Sequence, residues 1–372
     1  MNPPAENAQR IARLAPVAEI LRQVEALAQP VRARETSLAE ALGAVLAADV
    51  AAPARVPARA IAIADGWAVR ADQLLDAGPY SPMPLLGASP WVEVGDPLPA
   101  EADAVLPPDA VIVNDDLYEA VAAVAPGTGV LAAGAYAELG AVLKRAGERL
   151  RATDLAVLAA LGIGRVQVRR PNIRIAVTDP KLGHDTVAAL LARAVEAQGG
   201  IATMEDAAPL ERALLGDGAD AVFVVGGTGQ GRRDASVTAL SRVGSVAIHG
   251  YGIAPGETGA IGAAGARPVL LFPGRLDAAL AVWLLVGAPL VARLSGANEP
   301  ADGTEVRLTR KVASQVGLAE VVPLRRVENG VEPLGSAPLS LAALAQADGW
   351  MLVPPESEGF PVGARVNMRA LP

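Results

Sequence analysis

Residues 226–234 read GGTGQGRRD and follow directly on the apolar run Ala221–Val225. Glycines at Gly226, Gly227, Gly229 and Gly231 remove the Cβ and permit positive φ, so a negatively charged ligand can approach backbone N–H groups at the end of a buried strand. Thr228, Arg232 and Asp234 add a hydroxyl, a guanidinium and a carboxylate to the same nine residues. A phosphate loop needs Gly-x-x-x-x-Gly-Lys and then Ser or Thr, but Arg232 and Arg233 follow Gly231. The dinucleotide pattern Gly-x-Gly-x-x-Gly also fails, because Gly227, Gly229 and Gly231 run at intervals of two. Neither an NTPase nor a dehydrogenase is supported. A ligand-free strand-to-helix turn accounts for one or two glycines and less easily for four with two arginines and an aspartate.

Other segments carry related chemistry. Pro255-Gly256 lies in a second glycine-rich stretch, and Pro273-Gly274-Arg275 falls between a strand-like run and a helix whose first turn would offer free N–H groups. Lys181, one of three lysines in the chain, joins Arg232, Arg233 and Arg275 near predicted strand ends. Arginine in particular grips an oxyanion with two parallel hydrogen bonds. Each cation alone reads as a solvated loop side chain; four together favour an anion site. Asp65-Gly66 interrupts an apolar run and by itself reads as a β-turn.

The elements that must position these residues follow from length and pattern. At 372 residues several domains are expected. With 52% hydrophobic but only 3% aromatic residues, the cores must be built from Ala, Val and Leu, as in helix-on-sheet layers. Helical spacing over 8–27 and over 36–50, the second with Thr36 or Ser37 as N-cap and Glu40 completing a capping box, predicts two opening helices. Residues 51–140 break into short apolar pieces that predict a β-rich inserted domain, and helical spacing returns at 152–163. A helical domain of residues 1–50 and 141–171 thus brackets the insertion. Strand and helix alternate over 172–296, which predicts an α/β domain with a parallel sheet and ligands outside the carboxyl ends of its strands. Short strands over 297–372 predict a small closing β-domain.

Composition also excludes. A net charge of −8 without a concentrated basic face argues against nucleic acid or an anionic membrane surface as partner. Zero cysteines exclude disulfides and thiol chemistry, and two histidines, His184 and His249, exclude a histidine-rich metal site. His249, ending the strand-like run SVAIH, reads as a packed or hydrogen-bonded strand residue. The longest uncharged apolar stretch, residues 278–292, falls short of a bilayer span, and the start of the chain does not read as a secretory signal, so a cytoplasmic protein is expected.

Taken in order, the segments resemble the molybdopterin molybdotransferase family, MoeA in bacteria and the E domain of the plant and animal homologues. LAEALGAVLAADV followed by IADGWAV is similar to the family's opening, with Ser-Ala-Met-Asp-Gly-Tyr-Ala-Val as its second phrase. VGDPLPAEADAVLPPDAV, GGTGQGRRD, FPGRLDA and the C-terminal LSLAALAQADGWMLVPPESEGFPVGARV continue the likeness across essentially the whole chain. The resemblance implies an elongated four-domain subunit whose α/β domain is MogA/MoaB-like. It further implies a homodimer whose active site lies between that domain and the partner's β-rich domain. The implied reaction inserts molybdate into the dithiolene of adenylylated molybdopterin with magnesium-dependent loss of adenylate. Asp65 and Asp234 are carried over as acids that assist magnesium or molybdate. Gly226, Gly227, Thr228, Gly229, Gly231, Arg232, Lys181, Pro255, Gly256, Pro273, Gly274 and Arg275 are carried over as the cofactor grip. A molybdopterin adenylyltransferase and a molybdenum enzyme are the implied partners.

The chain departs from the family at polar positions. Pro180 and Lys181 stand for an aspartate and a glutamate, Val94 for a threonine, Ala254 and Glu257 for two lysines, Gly134-Ala135-Tyr136 for Gly-Glu-Asp, and Arg275 for an asparagine. Losing such groups weakens a metal-dependent step, since each commonly contributes a few kcal/mol of charge stabilisation. The alternative to catalysis is therefore a non-catalytic carrier of molybdopterin or finished cofactor; a third reading keeps only the dimeric scaffold.

Overall fold

The computed structural model describes residues 9–85, 89–114, 117–179, 183–206, 209–298 and 303–372. The chain forms two compact units, Met1–Ala48 with Ala146–Ala152 and Arg165–Pro372, and Asp49–Arg145 with Thr153–Gly164.

The first unit is organised around a six-stranded sheet. Its elements are β1 (Asn172–Val177), α1 (His184–Ala197), β2 (Ile201–Asp206), α2 (Leu210–Leu215), β3 (Ala221–Val225), α3 (Ser236–Val243), β4 (Ser245–His249), β5 (Ala260–Ala264), β6 (Arg267–Phe272) and α4 (Leu276–Val282). The strand order is β2-β1-β3-β6-β5-β4. Strands β2, β1, β3 and β6 are parallel, as the alternation of strand and helix predicts. The expectation of a wholly parallel sheet is corrected by β5, which runs antiparallel to both β6 and β4. That strand arises from the glycine-rich stretch that read as loop. Gly262 permits it, because a Cβ there would lie 2.0 Å from the Ser245 carbonyl oxygen.

Alternate residues of the parallel strands feed different layers, as the period of two requires. Ile173, Ile175, Phe223, Val225, Leu270 and Phe272 face one core, while Ala176, Val222, Val224, Val269 and Leu271 face the other. In the first core Phe223 packs 5.1 Å from Phe272 and 6.3 Å from Trp283, centroid to centroid. The helical run containing Trp283, Leu276–Ser295, is twenty residues, longer than the fifteen-residue stretch legible in the sequence. By length and composition it could cross a membrane, yet 72% of its most apolar window is buried inside the fold.

The opening of the chain differs from expectation. Val17–Leu27 is a helix, but the second predicted helix is absent: Arg34–Ser37 and Val45–Leu46 are strands on either side of Arg165–Arg169, with a single 3-10 turn, Leu38–Glu40, between them. The Ser37 and Thr36 hydroxyls do bond Glu40 Oε2, at 3.2 and 3.1 Å, but side chain to side chain and without capping a backbone N–H. Strand pairing with Arg165–Arg169 outweighs the helical spacing. A predominantly helical domain over 1–50 and 141–171 is corrected accordingly. At the other end, Thr304–Arg307, Ala319–Val327, Gly330–Pro333, Gly349–Val353 and Arg365–Met368 close a small β core of Leu308, Val322, Leu324 and Met351.

The second unit is β-rich. Gly66–Val69 pairs antiparallel with Trp91–Val92 and Ala104–Leu106. Gly66 is required by close approach, since a Cβ there would sit 2.2 Å from the Leu106 carbonyl oxygen. The helix Ala152–Ala160 forms where the sequence predicts, and its Asp154 carboxylate lies 3.6 Å from the Lys144 ammonium.

Candidate functional site

Register fixes the site. Val177 pairs with Val225, and Val225 with Phe272, so β1, β3 and β6 end at one level. The loops that begin with Thr178, Gly226 and Pro273 therefore leave the sheet side by side at its carboxyl edge. A cavity of about 450 Å³ lies there, bordered by Thr178 and Asp179 from the first loop, His184 from the start of α1, Gly227, Thr228, Gly229, Arg233 and Asp234 from the second loop, and Pro273, Gly274 and Arg275 from the third. Glu257 and Thr258 complete the rim.

The glycine loop is held by its carbonyls. Gly227 and Gly229 carbonyls accept from Gln9 Nε2 at 3.1 and 2.6 Å, and the Gly227 carbonyl also accepts from Ser236 N–H at 3.0 Å. The Thr228 carbonyl lies 2.9 Å from His249 Nε2, which must carry a proton because a carbonyl only accepts. Gly226 and Gly227 adopt φ of 88° and 69°, and a Cβ on Gly226 would lie 2.2 Å from His184 Cε1. The Asp234 carboxylate closes the turn by accepting from Gly231 N–H at 2.7 Å. Thr228, 2% exposed, meets the Thr258 hydroxyl at 3.0 Å.

The remaining sequence candidates are distributed unevenly. Gly227, Thr228, Gly229, Asp234, Pro273, Gly274 and Arg275 border the cavity, whereas Gly226 is buried against His184 and Gly231 is exposed and bonded to Asp234. Pro255 and Gly256 do not border it; both are buried, and a Cβ on Gly256 would press to 3.0 Å from Val282 Cγ2. Their neighbours Glu257 and Thr258 reach the rim instead. Arg232 is exposed and Arg233, not Arg232, lines the cavity. Lys181 lies outside the described residues. Asp65 belongs to the second unit, where it is exposed and its Oδ1 accepts from Val94 N–H at 2.9 Å.

Arg275 is a correction to the proposed cluster of free cations. Its Nε and Nη2 grip both oxygens of Asp277, at 3.1 and 2.5 Å, and hydrogen bonding to that carboxylate raises the guanidinium further above its ordinary range. Asp277, only 7% exposed in its side chain, also accepts from Leu339 N–H at 3.0 Å. The pair is close to neutral, so Arg233, which makes no ion pair among the described residues, is the guanidinium on the rim that remains available to a ligand.

Sequence reasoning missed Thr178, Asp179, His184, Thr258 and Gln9, and noted Glu257 only as a departure from the family pattern. The first two sit at a strand end and were findable on that ground. His184, 7% exposed, lies with Nδ1 at 3.3 Å from the Thr178 hydroxyl and between Gly226 and Gly274. Nothing local marks it. Asp179, Asp234 and Glu257 offer hard oxygen donors, but no group of three acidic or histidine side chains converges among the described residues. Magnesium is ordinarily held by one or two carboxylates together with substrate phosphates. The rim fits that arrangement and not a dedicated protein cage.

Comparison with known proteins gives a consistent picture. Residues 15–162 match the MoeA N-terminal region (domain I and II), 175–293 match a probable molybdopterin binding domain, and 305–371 match the MoeA C-terminal region (domain IV). A molybdopterin biosynthesis protein of Methanocaldococcus jannaschii is 26% identical over 380 residues, covering 91% of this chain and 92% of its own. Molybdopterin molybdenumtransferase 1 of Mycobacterium tuberculosis is 27% identical over 312 residues, covering 75% and 73%. The crystal structure of a molybdopterin biosynthesis MoeA protein of Pyrococcus horikoshii superposes with a TM-score of 0.75 at 25% identity, covering 97% of this chain and all of that one.

Proposed function

Because the chain belongs to the MoeA family and so to molybdenum cofactor biosynthesis, we propose that its carboxyl-edge cavity takes adenylylated molybdopterin and inserts molybdate into the dithiolene with release of AMP. The carrying observation is the glycine loop, whose three successive carbonyls, Gly227 to Gly229, are all turned onto protein donors. In a trans peptide the N–H points opposite the carbonyl. The Thr228 and Gln230 N–H groups are thereby directed away from Gln9, and they meet no acceptor among the described residues. Free N–H groups of that kind are anion ligands without being charged.

Arg233 supplies the positive charge for a phosphate or for molybdate, and Thr228 and Thr258 supply hydroxyls to the same wall. Asp234 and Asp179 are the side chains that would hold magnesium beside the phosphates, with Asp65 of a partner subunit as the third acid in a homodimeric arrangement. When bound, the ion would offset charge on the departing adenylate. Asp234 is fixed for this by its bond from Gly231 N–H. Glu257 faces the cavity where the resemblance places a lysine, so less positive charge surrounds the substrate than in the family pattern.

Purified protein incubated with adenylylated molybdopterin, molybdate and magnesium should release AMP. Asp234→Asn should cut the rate by about two to three orders of magnitude, the usual cost of a group that stabilises developing charge. Bound pterin with no AMP above background would refute catalysis and leave the carrier role.

A further inference from the structure

We infer that Gln9 is a positioning residue for the glycine loop, tying the start of the chain to the substrate cavity across more than two hundred residues. It lies ahead of the first residue matched to the family, Ala15. All the hydrogen-bonding capacity of its amide is directed at the loop and the helix that follows. Nε2 donates to the Gly227 and Gly229 carbonyls at 3.1 and 2.6 Å, and Oε1 accepts from Thr238 N–H at 3.2 Å. The orientation is dictated by its partners, since a reversed amide would set its oxygen against two carbonyls and its NH2 against an N–H.

The helix end explains why such a group is needed. Helix α3 begins after Ala235, which has no side chain able to cap, and Thr238 is the third residue of the helix. Its N–H is one of the donors a helix leaves open, and Gln9 Oε1 satisfies it from outside. The segment carrying Gln9 is itself anchored: Ala15 N–H donates to the Gly250 carbonyl at 2.9 Å, and Gly252 N–H to the Ala15 carbonyl at 2.7 Å. Gly250 leaves room for it, because a Cβ there would lie 2.6 Å from Ile11 Cγ2. Gln9 thus holds the Gly227 and Gly229 carbonyls on its own side and leaves the N–H groups of the same two peptides, Thr228 and Gln230, facing the other way. Its effect on substrate rests on the proposed use of the cavity; its effect on loop geometry does not.

The test compares Gln9→Ala with Gln9→Glu in the full chain, by amide hydrogen exchange and by AMP-release kinetics. In Gln9→Ala the Thr238 amide should exchange about five- to tenfold faster, the usual consequence of losing a helix cap. In Gln9→Glu that amide should stay protected, since an acceptor remains, while the Gly231 and Asp234 amides exchange faster because the two donors are gone. Both variants should raise KM about tenfold with kcat changed by less than about twofold, the pattern of lost ground-state positioning. If the wild-type chain releases no AMP but the exchange pattern holds, the proposed activity falls and the assignment of Gln9 stands. Unchanged exchange at these amides in both variants, or Gln9→Glu kinetics equal to wild type, overturns the assignment.

Discussion

Gly226→Ala tests whether the cavity wall is set by the close approach of glycine to His184. The added Cβ would lie 2.2 Å from His184 Cε1, 2.3 Å from its Nδ1 and 2.7 Å from the Thr178 hydroxyl, at a φ of +88°. The imidazole has little room to retreat, because a Cβ built on Gly274 on its other side would fall 2.1 Å from Nε2. Two costs add: about 1–2 kcal/mol for a side chain at positive φ, and about 1–3 kcal/mol for overpacking a filled site. The sum, about 2–5 kcal/mol, is a large part of the 5–15 kcal/mol typical of a folded domain. The double variant Gly226→Ala with His184→Ala removes the His184 share of the steric part and retains the φ part and the Thr178 contact. Urea unfolding of both single variants and the double should therefore show a favourable coupling of about 1–3 kcal/mol, well outside the additivity expected of independent sites. A Gly226→Ala protein within about 0.5 kcal/mol of wild type, or additive losses in the double variant, would refute the packing argument.

Arg233→Ala should weaken substrate binding about tenfold or more, in a salt-dependent way, whereas Arg275→Ala should change KM by less than about threefold because Asp277 already neutralises that guanidinium; equal losses in AMP-release kinetics would contradict the assignment of free and paired charge. The Tyr251 hydroxyl is buried without a hydrogen-bond partner among the described residues, and burial pushes its ionisation well above the ordinary phenol range. Tyr251→Phe should therefore be neutral or stabilising by up to about 1 kcal/mol in thermal unfolding, and a clear loss would reveal a partner for that oxygen. Glu332 is held below the usual carboxylate range by its hydrogen bond from Arg325 and then by the nearby charge of Arg310. Its folded-state pKa is lower than its unfolded one, so its contribution is fully present above the unfolded carboxylate range and is lost as pH falls through the folded value. Glu332→Gln should flatten the acid limb of a stability-against-pH profile, and an unaltered limb would show that the bridge contributes nothing.

Much of the α/β layer was legible in the chain itself. Buried parallel strands are largely apolar, so AVFVV and the run after Arg267 announced themselves, as did NIRIAV despite its buried Arg174, and glycine at the end of such a strand announced a close approach. The order of motifs was likewise sufficient to identify the family, because order along a chain survives when individual polar residues change. The opening segment was misread for a physical reason. Helical spacing over 36–50 is a local signal, and it yields to backbone pairing with a strand more than a hundred residues away.

The site divides along the same line. Sequence determined which loops carry glycine and which carry charge, since those are properties of residue type. Only the tertiary structure decided which charge is free, because Arg275 is neutralised by an aspartate two residues on whose buried carboxylate is also held by the remote Leu339 N–H. It decided equally that His184 fills the space two glycines leave, and that Gln9 completes a loop and caps a helix. Contacts between residues remote in sequence leave no local periodicity, and a single glutamine supplies no pattern; folding alone brings its amide to the carbonyls it holds.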